Sequence, residues 1–456
     1  MNYLIIFLIL LPHLSLFGIN LPSDNQIFFL LPYTYLWFSN RSLRNFKIPI
    51  FIFIPLILMV IGLFLGNLID TNYFFSLNFN IYSLISYSLI PILFSIGCFL
   101  SRNPFQIYNS IRYTLLILLV VILIQNLFPN VFNPIIARQL NINPITQEIF
   151  ISTSRGKRAL FSEPSFIPSF LLLYSFNMFF LKSYFLGNIK NKNLIIFLFI
   201  SLIISLLSLS GQILVCFIIL SLASLFALLG LIFIKIFKYI EENKFIISNF
   251  FLKITISLIS LLSIVYFFIT NIFTENSRIK FFLEVLRTDF TLALIDESLI
   301  WRLHAIYLPF MTPFIEPLNI VPNKSIYIIK GFSEGYPLKF AEDIYFGYFN
   351  WFTNLTGLKD VVLPARIYSI FGNITYDFGF IGLLFAILYF YKIFSSIDNV
   401  IKNSPQEDNY FLRFFFPIIF ILFSYINLSL LCPPYWFFSG MLYGLGKNKL
   451  KKDSKI

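Results

Sequence analysis

Apolar runs long enough to cross a lipid bilayer recur from one end of this chain to the other. They lie near residues 3–19, 25–39, 48–67, 81–100, 113–128, 166–183, 194–209, 212–234, 250–270, 371–391, 411–431 and 433–446. Spanning the hydrocarbon takes roughly 20 apolar residues per helix, and a helix satisfies its own backbone groups where no water is available. The stretch 194–234 is too long for one helix and breaks at Ser208, Ser210, Gly211 and Gln212. The expected fold class is an all-α polytopic integral membrane protein of about twelve transmembrane helices, one membrane domain over residues 1–456. The second and last runs are short, which leaves room for a tilted or re-entrant segment. Only 12% of the residues are charged, against 58% hydrophobic; no soluble domain, nucleotide-binding loop or nucleic-acid site is visible. The first 19 residues lack a basic leading region and another apolar run follows at once, so they read as a first span rather than a signal peptide. Cys98, Cys216 and Cys432 are too scattered for a disulfide framework or a zinc site.

Lysine and arginine in short connections orient such a bundle, because they stay on the cytoplasmic side. Arg41, Arg44, Lys47, Arg102, Arg112, Lys182, Lys190, Lys192, Lys235, Lys238, Lys244, Lys392, Lys402 and the tail lysines all fall on one side when the runs alternate. That side also holds both termini, which are expected to be cytoplasmic. Two long connections then face outward, a medium one at 129–165 and a large one at 271–370. The turn at Ser208 to Gln212 points the same way. Site residues concentrate on loops held by a rigid scaffold, so function is to be sought there.

The large outer loop begins with an amphipathic segment, 279–295, carrying Lys280, Glu284, Arg287 and Asp289. A second helix opens near Ser298 and carries Trp301, Arg302 and His304. Residues two apart project to different faces of a helix, so Arg302 and His304 cannot both face one site there, and Arg302 is preferred. Trp301 and Trp351 suit interface anchoring, or stacking of sugar rings. In the medium loop, Arg155, Lys157, Arg158 and Glu163 form a dense charged patch directly before an apolar run. Arg155 and Arg158 are neighbours if the segment is helical. Glu163 precedes Pro164, a residue suited to open a helix, where a carboxylate also meets the helix dipole favourably. After the large loop come Arg366, Ser369, Asp377, Gly379 and Gly382. Asp377 is an ionisable residue inside an apolar run, a mark of function by default. The two glycines would let another helix approach closely.

Together these residues resemble a known family. Arg158 before Phe161-Ser162-Glu163-Pro164-Ser165, the Ser208/Ser210 turn, Arg302 after Ser298 in one large loop, and Asp377, Gly379 and Gly382 in the next span are similar to the O-antigen polymerases. These are bacterial oligosaccharide repeat-unit polymerases, related to the O-antigen ligases. The resemblance covers most of the chain as topology and about 30 residues as motifs. Many members carry an arginine after the Ser-x-Ser turn, where this chain has Gly211 and Gln212. Ligases commonly place a histidine before the following span, where Ile367 to Gly372 offers none.

The resemblance implies a glycosyltransferase that moves a growing glycan from one undecaprenyl diphosphate onto the sugar of another lipid-linked repeat unit. Arginine guanidinium bonds phosphate in a bidentate, charge-assisted way, so Arg158 and Arg302 are expected to hold the diphosphate with Arg155 assisting. Lys157, His304, Arg366 and Asp377 are candidates for further substrate contacts. Glu163 either accepts the proton of the acceptor hydroxyl or orients an arginine. No Asp-x-Asp cage stands in the outer loops, and the expected reaction uses neither a metal nor a cofactor. Expected partners are the lipid-linked oligosaccharide, membrane lipids and, beside them, a chain-length regulator and a flippase. The rival readings are an O-antigen ligase or other lipid-linked-glycan transferase, and a polysaccharide transporter or flippase. Transporters show related halves and buried charges, and no internal repeat is found here.

Overall fold

The structure, a computed structural model, describes residues 2–12, 49–69, 77–132, 157, 159–161, 166–186, 191–208, 210, 212–213, 216, 219–227, 313–314, 369–402, 410–426 and 432–453. Among them every regular element is helical. In chain order these are α1 (Asn2–Leu10), a 3-10 turn (Ile50–Phe53), α2 (Ile54–Ile69), α3 (Leu77–Leu100), α4 (Pro104–Leu127), α5 (Phe166–Phe185), α6 (Asn191–Leu207), α7 (Ile370–Lys402), α8 (Tyr410–Ile426) and α9 (Pro433–Asp453). Among the described residues three helices are long and apolar enough to cross a membrane: Pro104–Leu127, Phe166–Phe185 and Asp377–Ile401. Shorter apolar helices surround them, and the whole fits a helical membrane protein. The expected spans near 25–39 and 250–270, and nearly all of the loop 271–370, lie outside the described residues.

α4 shows how local sequence makes such a helix. Asn103 caps it by accepting the Gln106 N–H at 3.3 Å, and Pro104 occupies the first helical position, where a missing N–H costs nothing. Ile107, Ile111, Leu115, Leu118 and Ile122 form the buried face, with Leu116, Ile117, Val120 and Leu123 exposed on the other side. An exposed face this apolar belongs in lipid rather than water.

α9 stands at the centre, with α3 pressed along its length and α7, α1 and α5 around it. Glycines set the α3–α9 spacing. A methyl group on Gly97 would run into the Phe437 carbonyl, and one on Gly440 into the Phe94 carbonyl. One turn on, a methyl on Gly444 would sit 2.9 Å from the Cys98 carbonyl oxygen. From Phe94–Gly440 to Cys98–Gly444 the contacts advance four residues on each helix, so α3 and α9 run in the same direction. Gly446 meets Ser396 of α7 in the same manner. Trp436 and Tyr435 of α9 are fully buried among Phe371, Tyr389 and Phe420. Small residues with backbone-to-backbone approach are what helix association in lipid depends on.

α7 departs from the single span expected over 371–391. Its backbone breaks at Gly379, with φ 57° and ψ −130°, a conformation open to glycine and strained for every other residue. The Phe371 ring lies 4.9 Å from Tyr389 and 4.6 Å from Phe390. In a continuous helix residues eighteen apart would be separated by about 27 Å. The chain therefore reverses at Gly379, and segment 370–378 (α7a) folds back along 380–402 (α7b). Gly382 makes room for this, but not for another helix. A methyl there would strike the Ile374 carbonyl of α7a itself. Ser369 caps α7a, its hydroxyl accepting the Gly372 N–H at 2.9 Å.

Gly440→Ala should push α9 off α3 and cost about 1–3 kcal/mol or more, because backbone and not a side chain must give way. The expected outcome is a clearly lower unfolding midpoint of the detergent-solubilised protein. A midpoint unchanged from wild type would contradict the packing described.

Candidate functional site

Two of the places singled out in the sequence, the charged patch of the medium loop and the Ser208–Gln212 turn, come together in the structure. The backbone N–H of Lys157 donates to the Ser208 carbonyl at 2.9 Å. Two residues on, the Ala159 N–H donates to Oε1 of Gln125, near the C-terminal end of α4, also at 2.9 Å. Ala159 is left-handed, with φ 48°, although it is not glycine. Such a conformation persists only where surrounding contacts over-determine it. The contacts are visible: Ala159 and Phe161 are fully buried, and the Phe161 ring packs 5.1 Å from Phe170 of α5. The loop is thus pinned to α4, α5 and the end of α6 within five residues, 157–161.

The turn has its own logic. The Ser208 N–H closes the last turn of α6 on Ile204, and its hydroxyl donates back to the Ser205 carbonyl at 2.7 Å. The Ser208 carbonyl is thereby left at the helix end for Lys157. Ser210 starts the next helical stretch as a cap, its hydroxyl accepting the Gln212 N–H at 3.3 Å. Both serines therefore have work in building the turn. Gln212 does not. It is only 2% exposed, and neither its amide nitrogen nor its amide oxygen has a hydrogen-bond partner. A buried polar atom without a partner costs about 1–3 kcal/mol, and Gln212 carries two. In the sequence Gln212 shows as the end of the outward turn and as the position where an arginine is missing.

Asp377 lies beside the reversal of α7. It is 1% exposed and accepts a hydrogen bond from the Tyr87 hydroxyl of α3 at 2.5 Å. The Tyr87 ring also packs edge-on to Phe378 at 5.7 Å. Pro91 of α3 has no N–H for the Tyr87 carbonyl, which loosens the helix at the turn presenting this tyrosine. Asp377 thus helps dock the α7 hairpin onto α3. That gives it a structural task beside the substrate contact expected of it.

Of the residues expected to form the site, Lys157 and Asp377 are described, Lys157 bonded to Ser208 and Asp377 to Tyr87. Arg155, Arg158, Glu163, Arg302, His304 and Arg366 lie outside the described residues. Among the described residues no group of three or more His, Cys, Asp or Glu side chains could hold a metal ion. No protein-family model, curated protein or solved structure matches the chain.

Removing the Gln125 side-chain acceptor leaves the Ala159 N–H buried and unpaired. Gln125→Ala should cost about 1–3 kcal/mol and speed amide hydrogen exchange across 157–161, whereas Gln125→Glu, which keeps an acceptor oxygen, should change it far less. Exchange at 157–161 that is the same in Gln125→Ala and wild type would contradict the pinned loop.

Proposed function

We propose that this chain is a polysaccharide polymerase that extends undecaprenyl-diphosphate-linked glycans on the outer face of a bacterial cytoplasmic membrane. In this reading about twelve spans alternate across the membrane, both termini are cytoplasmic, and the loops 129–165 and 271–370 are periplasmic. The acceptor hydroxyl of one lipid-linked repeat unit attacks the anomeric carbon of the glycan on another. A new glycosidic bond forms, the bond to the diphosphate breaks, and undecaprenyl diphosphate leaves with the electron pair. The hydroxyl proton passes to Glu163 or to solvent. Arg158 and Arg302, with Arg155 assisting, hold the diphosphate as negative charge builds on it; removing one such donor costs roughly 10²–10³ in rate.

The observation that carries the reading is the Lys157–Ser208 hydrogen bond. It brings the charged loop to the turn where Gln212 holds two unpaired polar atoms in a buried setting. A cation-rich segment beside an amide able both to donate and to accept suits a substrate that is anionic at one end and a sugar at the other. Gln212 takes the sugar side in this proposal, bonding a hydroxyl or acetamido group.

The test is glycan ladder length on gels from cells lacking the gene, complemented with wild type or variants and with membrane levels checked. Wild type should restore a ladder. Arg158→Ala should leave single repeat units on the lipid carrier. Gln212→Ala should slow extension by roughly tenfold, the worth of one to two hydrogen bonds, and shorten the ladder. Long polymer that forms without the gene but never reaches its final acceptor would make the chain a ligase instead. Lipid-linked units accumulating on the cytoplasmic side would make it a transporter.

A further inference from the structure

Far from the Lys157–Ser208 contact, α4 carries a cation that the proposed reaction does not use. Arg112 is the ninth residue of α4. Its Nη1 donates to Oδ1 of Asn109 at 3.2 Å, and its guanidinium lies 4.8 Å over the Phe197 ring of α6. Its Nε is buried with no partner. One helical turn earlier Tyr108 is fully buried, and its hydroxyl is also without a partner. Residues four apart on a helix share a face. Two unpaired donors, one of them cationic, are therefore neighbours on α4, with Arg112 at the contact between α4 and α6. Among the described residues no carboxylate is paired with Arg112.

We propose that these two donors bind the phosphate diester of a membrane lipid. A diester presents two non-bridging oxygens and one negative charge. One oxygen accepts from the Arg112 Nε–H, the other from the Tyr108 hydroxyl. Arginine pairs with phosphate well because its donors lie in a fixed plane, here already oriented by Phe197 and Asn109.

The depth is right for a headgroup. α4 and α6 run side by side in one direction, since Arg112 meets Phe197 while Gln125 and Ser208, further along each, both meet the 157–161 loop. From Leu115 to Ile124 α4 is wholly apolar, and Leu116, Ile117, Val120 and Leu123 are exposed. On the other side of Arg112 come Asn109, Ser110 and Gln106, then Arg102 beyond the helix start. Tyr113 is 56% exposed at the changeover, as aromatic side chains are at the level of lipid headgroups. Exposed Lys192 at the start of α6 adds positive charge at the same end. Exposed Ile195, Ile196 and Phe199 of α6, with the apolar face of α4, give the acyl chains a surface to lie on.

The test uses the full-length protein in a phosphate-free, non-ionic detergent. Its unfolding midpoint is titrated with dioctanoyl phosphatidylglycerol, with dioctanoylglycerol, which lacks the phosphate, and with inorganic phosphate. The expected result is saturable stabilisation by the phosphatidyl lipid alone. Arg112→Gln should weaken its apparent affinity by roughly tenfold or more, the worth of a charged hydrogen bond, and Tyr108→Phe by about three- to tenfold. Arg112→Lys should retain part of it. Equal stabilisation by dioctanoylglycerol would overturn the proposal in favour of acyl-chain packing, and equal stabilisation by inorganic phosphate in favour of a free-anion site. An unchanged titration in Tyr108→Phe, which keeps the ring and its packing, overturns it even if the Arg112 variants fail to fold.

Discussion

Two helix backbones in contact, α3 against α9, hold the rest of this protein in place. Lipid is as apolar as the side chains it surrounds, so helices gain little by hiding apolar surface from it; close packing and a few polar contacts must hold them instead. Gly97, Gly440 and Gly444 supply the packing by letting main chains touch. With α9 fixed on α3, its residues on other faces become the wall for α5, α7 and α8. Tyr435 stacks on Phe420 of α8 at 4.6 Å, Phe438 meets Tyr174 of α5, and Gly446 receives Ser396 of α7. Tyr174 in turn donates from its hydroxyl to the Leu10 carbonyl at the end of α1.

The proposed site depends on this frame at one remove. α5 leans on α9, Phe161 leans on α5, and the loop holding Lys157 and Ala159 is stretched between α4 and the end of α6. Three short contacts fix a segment that by composition would be a solvated loop. Holding it still has a chemical use. A cation that must meet a leaving diphosphate acts best when it need not reorganise as charge develops. The lipid site inferred at Arg112 uses the same two helices nearer their other ends. α4 and α6 would thus carry phosphate chemistry twice, at opposite ends of one helix pair.

What the sequence made legible follows from what apolar patterning can and cannot report. Long apolar runs foretold α5 and α6 closely, because span length is a property of the run itself; α4 starts nine residues before its run, at the Asn103 cap and Pro104 in polar sequence. The charged patch and the serine turn were legible as places, since cations beside an apolar run are unusual. The reversal at Gly379 was not. A count of apolar residues over 371–391 reads through a single glycine, and nothing local distinguishes a left-handed glycine from one that merely makes room. Gly382 was read as a contact for another helix for the same reason, and it serves its own chain. Ala159 gives no sequence signal of its left-handed backbone. Gln212 was legible as part of the turn and as a missing arginine, not as an unpaired amide, because burial without a partner is a tertiary fact. Asp377 was legible as unusual, while its partner Tyr87, 290 residues away, was beyond any local pattern.

The central claim is that this chain alone joins lipid-linked glycans. It is tested most directly by reconstituting the purified protein in liposomes with lipid-linked repeat units extracted from cells that lack the gene. The account predicts glycans of increasing length on the lipid, with one undecaprenyl diphosphate released per bond formed and no nucleotide sugar required. Repeat units that stay single while the protein is folded and correctly inserted would contradict it.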